Sequence, residues 1–153
     1  MRGEIAQFLR RARWAFLSER ASAMVEVAVM TPVMLLLITG IFSISITLEQ
    51  KLQLAEAVAS GARYLAVDRG DTDPCASTVS VVEAAAPTLT SSNMTFTFVL
   101  NGTTTNGSSC SGTTNMISGK QGQLTVTYPC SLFAYGMSFG SCTLSETASE
   151  VIQ

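Results

Sequence analysis

A chain of 153 residues with a net charge of −2 holds at most one small domain beside any membrane segment. It contains no histidine, no Gly-rich phosphate loop ending in Lys and no Cys-x-x-Cys pair, which removes histidine acid–base chemistry and the usual zinc and nucleotide sites. The reading is therefore of a protein without catalytic residues, metal, other cofactor or small-molecule substrate. No basic stripe follows residue 26, so nucleic acid is not an expected partner.

Residues 1–21 read as a basic cytoplasmic leader. Five of the nine Lys and Arg lie in the first 20 residues, and the other four are scattered over the rest. The positive-inside rule then puts the N-terminus in the cytoplasm and the C-terminal part beyond the inner membrane. Ile5, Phe8, Leu9 and Ala12 recur at helical spacing, with Trp14 and Phe16 beyond them. An amphipathic helix on the inner leaflet is the alternative to a leader that only sets topology.

Residues 22–67 read as one long helix. No residue from Val27 to Leu48 is charged. As a helix, this run rises about 33 Å, enough for a hydrocarbon core of about 30 Å. It exceeds the apolar core of a secretory signal, usually about 7–15 residues. Glu26 stands at the mouth of the run. An anchor needs no acid there, and a charge costs about 2.5–3.5 kcal/mol at a helix centre, less near the edge. The bland reading of Glu26 is an acid that marks the interface and snorkels to water. Pro32 removes one helix hydrogen bond, which hydroxyls such as that of Thr31 or neighbouring helices would compensate. From Glu49 to Ala66 the pattern turns amphipathic, with Leu52, Ala55, Ala59, Ala62 and Ala66 near one stripe of mostly small residues suited to close packing.

Residues 68–153 read as a periplasmic or extracellular α+β domain. Asp68 to Pro74 is a solvated turn, neither a calcium loop nor, at Arg69-Gly70-Asp71, an adhesion motif. Residues 75–86 fit a short helix ending before Pro87. Residues 93–100, 123–128 and 142–152 alternate as strands, giving an antiparallel sheet of about three strands. Residues 101–107 read as a turn or long hairpin loop, and Gly136 to Gly140 as a loop. Phe133, Tyr135 and Phe139 are either core or an exposed contact patch, with core the expected reading. The Asn93, Asn101 and Asn106 sequons are read as chance occurrences in a Thr-rich and Ser-rich region. Cys75, Cys110, Cys130 and Cys142 all fall on the outer side, where an even count reads as disulfides. The expected pairing is Cys75–Cys110 with Cys130–Cys142, each closing a local loop.

Ala21-Ser22-Ala23 has the small residues of a cleavage site, but it precedes the apolar run. A secretory cut would follow that run. A cut after Ala21 leaves the membrane helix intact, makes Ser22 the new N-terminus and makes Glu26 the fifth residue. An ammonium and a carboxylate at one bilayer depth would pair between neighbouring subunits, relieving the cost of burying either and setting axial register.

Glu19 to Ala66 resembles the TadE-like family of minor pilins (pseudopilins) of the tight-adherence pilus. The resemblance rests on the basic leader, Ser22, Ala23, Val25 and Glu26, the apolar run with Pro32, and Gly61-Ala62-Arg63-Tyr64 near the helix end. The family usually has Gly before the cut, where this chain has Ala21. The resemblance implies a type IV pilin-like long helix with a small disulfide-bonded head, cut by prepilin peptidase between Ala21 and Ser22. Glu26 and Pro32 would set assembly register. The implied partners are the membrane, other pilins, the peptidase and the inner-membrane assembly platform, and the implied role is adhesion. Major pilins of that system are far shorter, so a minor subunit at a tip or initiation complex is implied. The alternative is an unprocessed single-pass envelope protein whose outer domain binds a surface or partner.

Overall fold

The computed structural model describes residues 19–110 and 116–153. Most of the expected leader, residues 1–18, lies outside the described residues. Helix α1 runs from Glu19 to Val67, 49 residues, passing through Pro32. Pro32 offers no N–H to the carbonyl four residues back. The Thr31 hydroxyl donates one position earlier, to the Val27 carbonyl at 2.7 Å. Thr39 and Thr47 likewise donate to the carbonyls of Leu35 (2.8 Å) and Ser43 (3.0 Å). These hydroxyls return to the backbone, so the exposed surface of the run stays apolar.

A turn at residues 68–73 ends α1. Helix α2, Pro74–Ala85, starts with two N-terminal signals at once. Pro74 occupies the first turn, and Asp73 Oδ1 accepts the Ala76 N–H at 3.1 Å. A 3₁₀ turn at Ser91–Asn93 leads into the sheet. Strands β1 (Thr95–Leu100), β2 (Thr103–Asn106), β3 (Gln121–Ala134) and β4 (Met137–Val151) form one antiparallel sheet in the order β2-β1-β3-β4.

The α+β class with a long apolar helix, a short helix and an antiparallel sheet is what the sequence implies. The sheet is larger than read from the alternation. Residues 101–107 hold a tight turn and β2 instead of a long loop. Asn101 and Gly102 take φ of 48° and 82°, the left-handed pair of a two-residue hairpin turn. Gly136 to Gly140 is not a loop either. Tyr135 and Gly136, with φ of 54° and 75°, turn β3 back into β4. Phe133 and Tyr135 are 52% and 56% exposed, so they belong to the surface and not to the core.

The second half of α1 and the whole of α2 cover one face of the sheet. Phe96, Phe98 and Leu100 of β1 and Leu124 and Val126 of β3 point inward on alternate residues. They meet Leu54, Val58 and Leu65 of α1 and Val82 of α2. Burying each such side chain stabilises the domain by about 1.5–3 kcal/mol. The buried stripe of α1 is Leu54, Ala57, Val58, Gly61, Ala62 and Leu65, which corrects the expected one. Leu52 is 60% exposed, while Ala62 and Ala66 are buried. The large Leu54, Val58 and Leu65 supply the apolar area that small residues lack, and Gly61 and Ala62 let the helix approach. The Gln153 N–H donates to the Ala66 carbonyl at 2.9 Å, and Ile152 is buried, which ties the last strand to the end of α1.

Candidate assembly site on the long helix

Three places carry side chains that the fold alone does not require. The first is Glu26. It lies on α1 above Met30 and Met34, with Val27, Thr31 and Leu35 in the adjacent row, as a spacing of four residues dictates. All six line one shallow surface groove of about 450 Å³. Glu26 has no hydrogen bond or ion pair among the described residues, and its neighbours are exposed apolar side chains. The helix backbone also runs through Ala21 and Ser22. Among the described residues Glu26 is thus an unpaired carboxylate at the edge of an apolar surface that no other described element covers.

The second place joins β3 to the membrane-length part of α1. β1 pairs with β3 only as far as Thr127, and beyond it β3 and β4 continue alone as a two-stranded ribbon. The ribbon lies along α1. The Phe133 N–H donates to Ser43 Oγ at 2.9 Å and the Tyr135 N–H to Thr39 Oγ1 at 3.2 Å. Cys130 and Cys142 face each other across the ribbon and are joined by a disulfide. Between ribbon and helix lies an open groove of about 850 Å³, bounded by Phe42, Ile46 and Thr47 on one side and by Cys130, Phe133 and Tyr135 on the other. These two backbone contacts carry no sequence periodicity. Serine and threonine in an apolar helix were the one available signal.

The third place is the turn at 68–73, where a disulfide joins Cys75 of α2 to Cys110. Asp73 binds both sides of that link. Its Oδ1 accepts the N–H groups of Ala76 and Cys110 (3.0 Å for the latter), and its Oδ2 accepts the Ser109 hydroxyl at 2.5 Å. The Cys110 N–H and the Ser109 hydroxyl hold the Asp73 carboxyl below the usual carboxylate range. Asp71 is likewise lowered, by the Ser77 hydroxyl and the Thr72 N–H. Asp68 moves the opposite way, raised by burial and by the charge of Asp71. One of its oxygens is buried without a hydrogen-bond partner. The segment is a solvated turn, as read, and its carboxylates also clamp α2 to the loop ending at Cys110. Asp73-Pro74-Cys75-Ala76 carries a helix-cap signal, but the partner 37 residues away does not show in sequence. Among the described residues no group of His, Cys, Asp or Glu is placed to hold a metal ion.

Together these features define a class: an α+β head on a long helix whose apolar segment is largely exposed, apart from the side along which the ribbon lies, and long enough to cross a membrane. The family model described as TadE-like protein matches residues 21–63. Over that segment, from the small residue before Ser22 to Arg63, the chain is TadE-like in sequence, which supports membrane association and a pilus-related context. That family is structural rather than catalytic. No curated protein and no solved structure gives a significant match to the chain.

Proposed function

We propose that the protein is a minor pilin, or pseudopilin, that takes part in assembly, tip formation or initiation of a tight-adherence pilus. Residues 1–21 are its cytoplasmic leader, residues 22–67 its membrane-spanning and amphipathic helix, and residues 68–153 its periplasmic or extracellular head. Prepilin peptidase removes the leader after Ala21. The new Ser22 ammonium pairs with Glu26 of a neighbouring pilin, and the pair sets the axial register of packed helices. Pro32 lies within the segment that must repack on leaving the bilayer. The assembly platform and other pilins are its partners, and surface adhesion is the outcome.

The observation that carries this reading is the unpaired Glu26 at the head of an exposed apolar helix, inside the TadE-like segment. A carboxylate in that setting is costly unless a second chain supplies its counter-charge. Replacing Glu26 by Ala tests it. The variant inserts in the membrane as the parent does, and piliation falls. Normal piliation with Glu26→Ala removes the register role.

One observation favours a second reading. Ala21 stands before the cut, where the resemblance calls for Gly. An unprocessed envelope protein would keep Arg10 to Arg20, tolerate Glu26→Ala and act through its head alone.

A further inference from the structure

Lys51 on α1 and Glu146 on β4 form an ion pair of 3.6 Å. This pair places the charge boundaries of two separate elements at one height. Below it, α1 is uncharged from Leu48 down to Val27. The ribbon is uncharged too: between Lys120 and Glu146 no residue of β3, its turn or β4 carries a charge. The ribbon descends along the helix from that line. Ser43 lies about 7.5 Å and Thr39 about 13.5 Å below Leu48 at 1.5 Å per residue, and these are the residues that receive the Phe133 and Tyr135 N–H groups.

The tip of the ribbon is apolar and open. Phe133, Tyr135 and Met137 are 52%, 56% and 60% exposed, and Leu132 is partly so. A soluble tip would bear charge at such positions. Tyr135 is amphipathic, and Leu132, Phe133 and Met137 are wholly apolar and suited to acyl chains. Backbone chemistry agrees, because an open strand edge is tolerated in water but not in lipid. Past the end of β1, Pro129 brings no N–H, and the N–H groups of Phe133 and Tyr135 are taken by helix hydroxyls. The Ser131 N–H and the outer edge of β4 remain, so water must follow that edge into the outer leaflet, beyond which the ribbon does not reach.

We propose that the β3–β4 ribbon is a second membrane-contacting element. Its Leu132–Met137 tip lies in the outer leaflet beside α1, and lipid chains fill the groove between ribbon and helix. This rests on the reading that α1 spans a membrane. The Cys130–Cys142 disulfide holds the ribbon closed where it leaves the sheet. The head is thereby held at two points, helix and ribbon, so that leaving the membrane requires extraction of both.

The test uses the full chain in vesicles of phosphatidylethanolamine and phosphatidylglycerol, in a Trp14→Phe background. One variant carries Tyr135→Trp, a second Phe133→Trp, and a control carries Ile41→Trp on an exposed face of α1. Fluorescence is measured with lipids brominated near the headgroup end of the acyl chains or near their far end. The expected result is that both tip tryptophans lose more than half of their emission, Phe133→Trp more strongly with shallow bromines and Tyr135→Trp more strongly with deep ones, and that Ile41→Trp is quenched as well. Quenching of Ile41→Trp with full emission from both tip variants overturns the inference and leaves the spanning helix in place. Tips shielded from both bromine and aqueous acrylamide mean that a second copy or another protein covers them, which overturns it equally. Absence of quenching in all three variants removes the spanning helix, and the inference with it.

Discussion

Gly61 of α1 and Val82 of α2 approach so closely that a β-carbon on Gly61 would fall 2.4 Å from Val82 Cγ2. Leu124 Cδ2 of β3 would be 3.1 Å from the same point. Both helices and the sheet therefore meet at a position with no room for a methyl group. Gly61→Ala improves helix propensity by about 1 kcal/mol, yet overpacking costs about 1–3 kcal/mol, and here the clash is with a stiff β-branched side chain. The expected outcome is a lower melting temperature for Gly61→Ala. Adding Val82→Ala should cost less in that background than alone, which a double-mutant cycle of thermal unfolding measures.

The two disulfides should differ in worth. Cys75–Cys110 spans 35 residues of sequence and joins elements that no strand ladder connects. Cys130–Cys142 spans 12 and joins residues already opposite each other in the ribbon. Closing the longer loop restricts the unfolded chain more, by about 3.8 against 2.8 kcal/mol in the chain-entropy account. Replacing Cys75 and Cys110 by Ala should lower the urea midpoint of the head more than replacing Cys130 and Cys142.

Acid should loosen the clamp at the turn. Asp71 and Asp73 are held below the usual carboxylate range by hydrogen bonds that their ionised forms accept. Their contribution is present above about pH 4, the ordinary Asp value, and is lost as pH falls through their lower folded values. Asp68 has the opposite sign. Burial raises it, so its cost appears as pH rises through its folded value. Melting temperature followed from neutral to strongly acidic pH should fall in acid for the parent. The fall should be shallower for Asp73→Asn, and Asp68→Asn should melt higher than the parent at neutral pH.

The sequence made the long helix, the short helix and the two inner strands legible, because each has a strong local signature. The uncharged run from Val27 to Leu48 and the alternation Phe96-Phe98-Leu100 need no tertiary context. The stripe of small residues on α1 differs from its buried face because small residues at helical spacing mark close approach, whereas the buried face follows the large Leu54, Val58 and Leu65. β2 was hidden by its polar Thr-Thr-Thr-Asn composition, although Asn101-Gly102 is a strong hairpin signal. The ribbon is not legible in the sequence because Pro129 and the glycines read as loop chemistry, and because its support comes from Ser43 and Thr39, some 90 residues earlier. Glu26 stood out because a lone charge beside an apolar run is anomalous in itself. The partner proposed for it belongs to another chain, and no property of a single chain supplies it.

The central claim is that Ser22 becomes an N-terminus. Intact mass and N-terminal sequence of the protein from its native membranes, with and without prepilin peptidase, test this most directly. The account predicts a chain starting at Ser22 when the peptidase is present and at Met1 when it is absent, with Ala21→Gly increasing the processed fraction. A start at Met1 in both samples would contradict it, leaving Glu26 without a partner ammonium and the head as the sole seat of function.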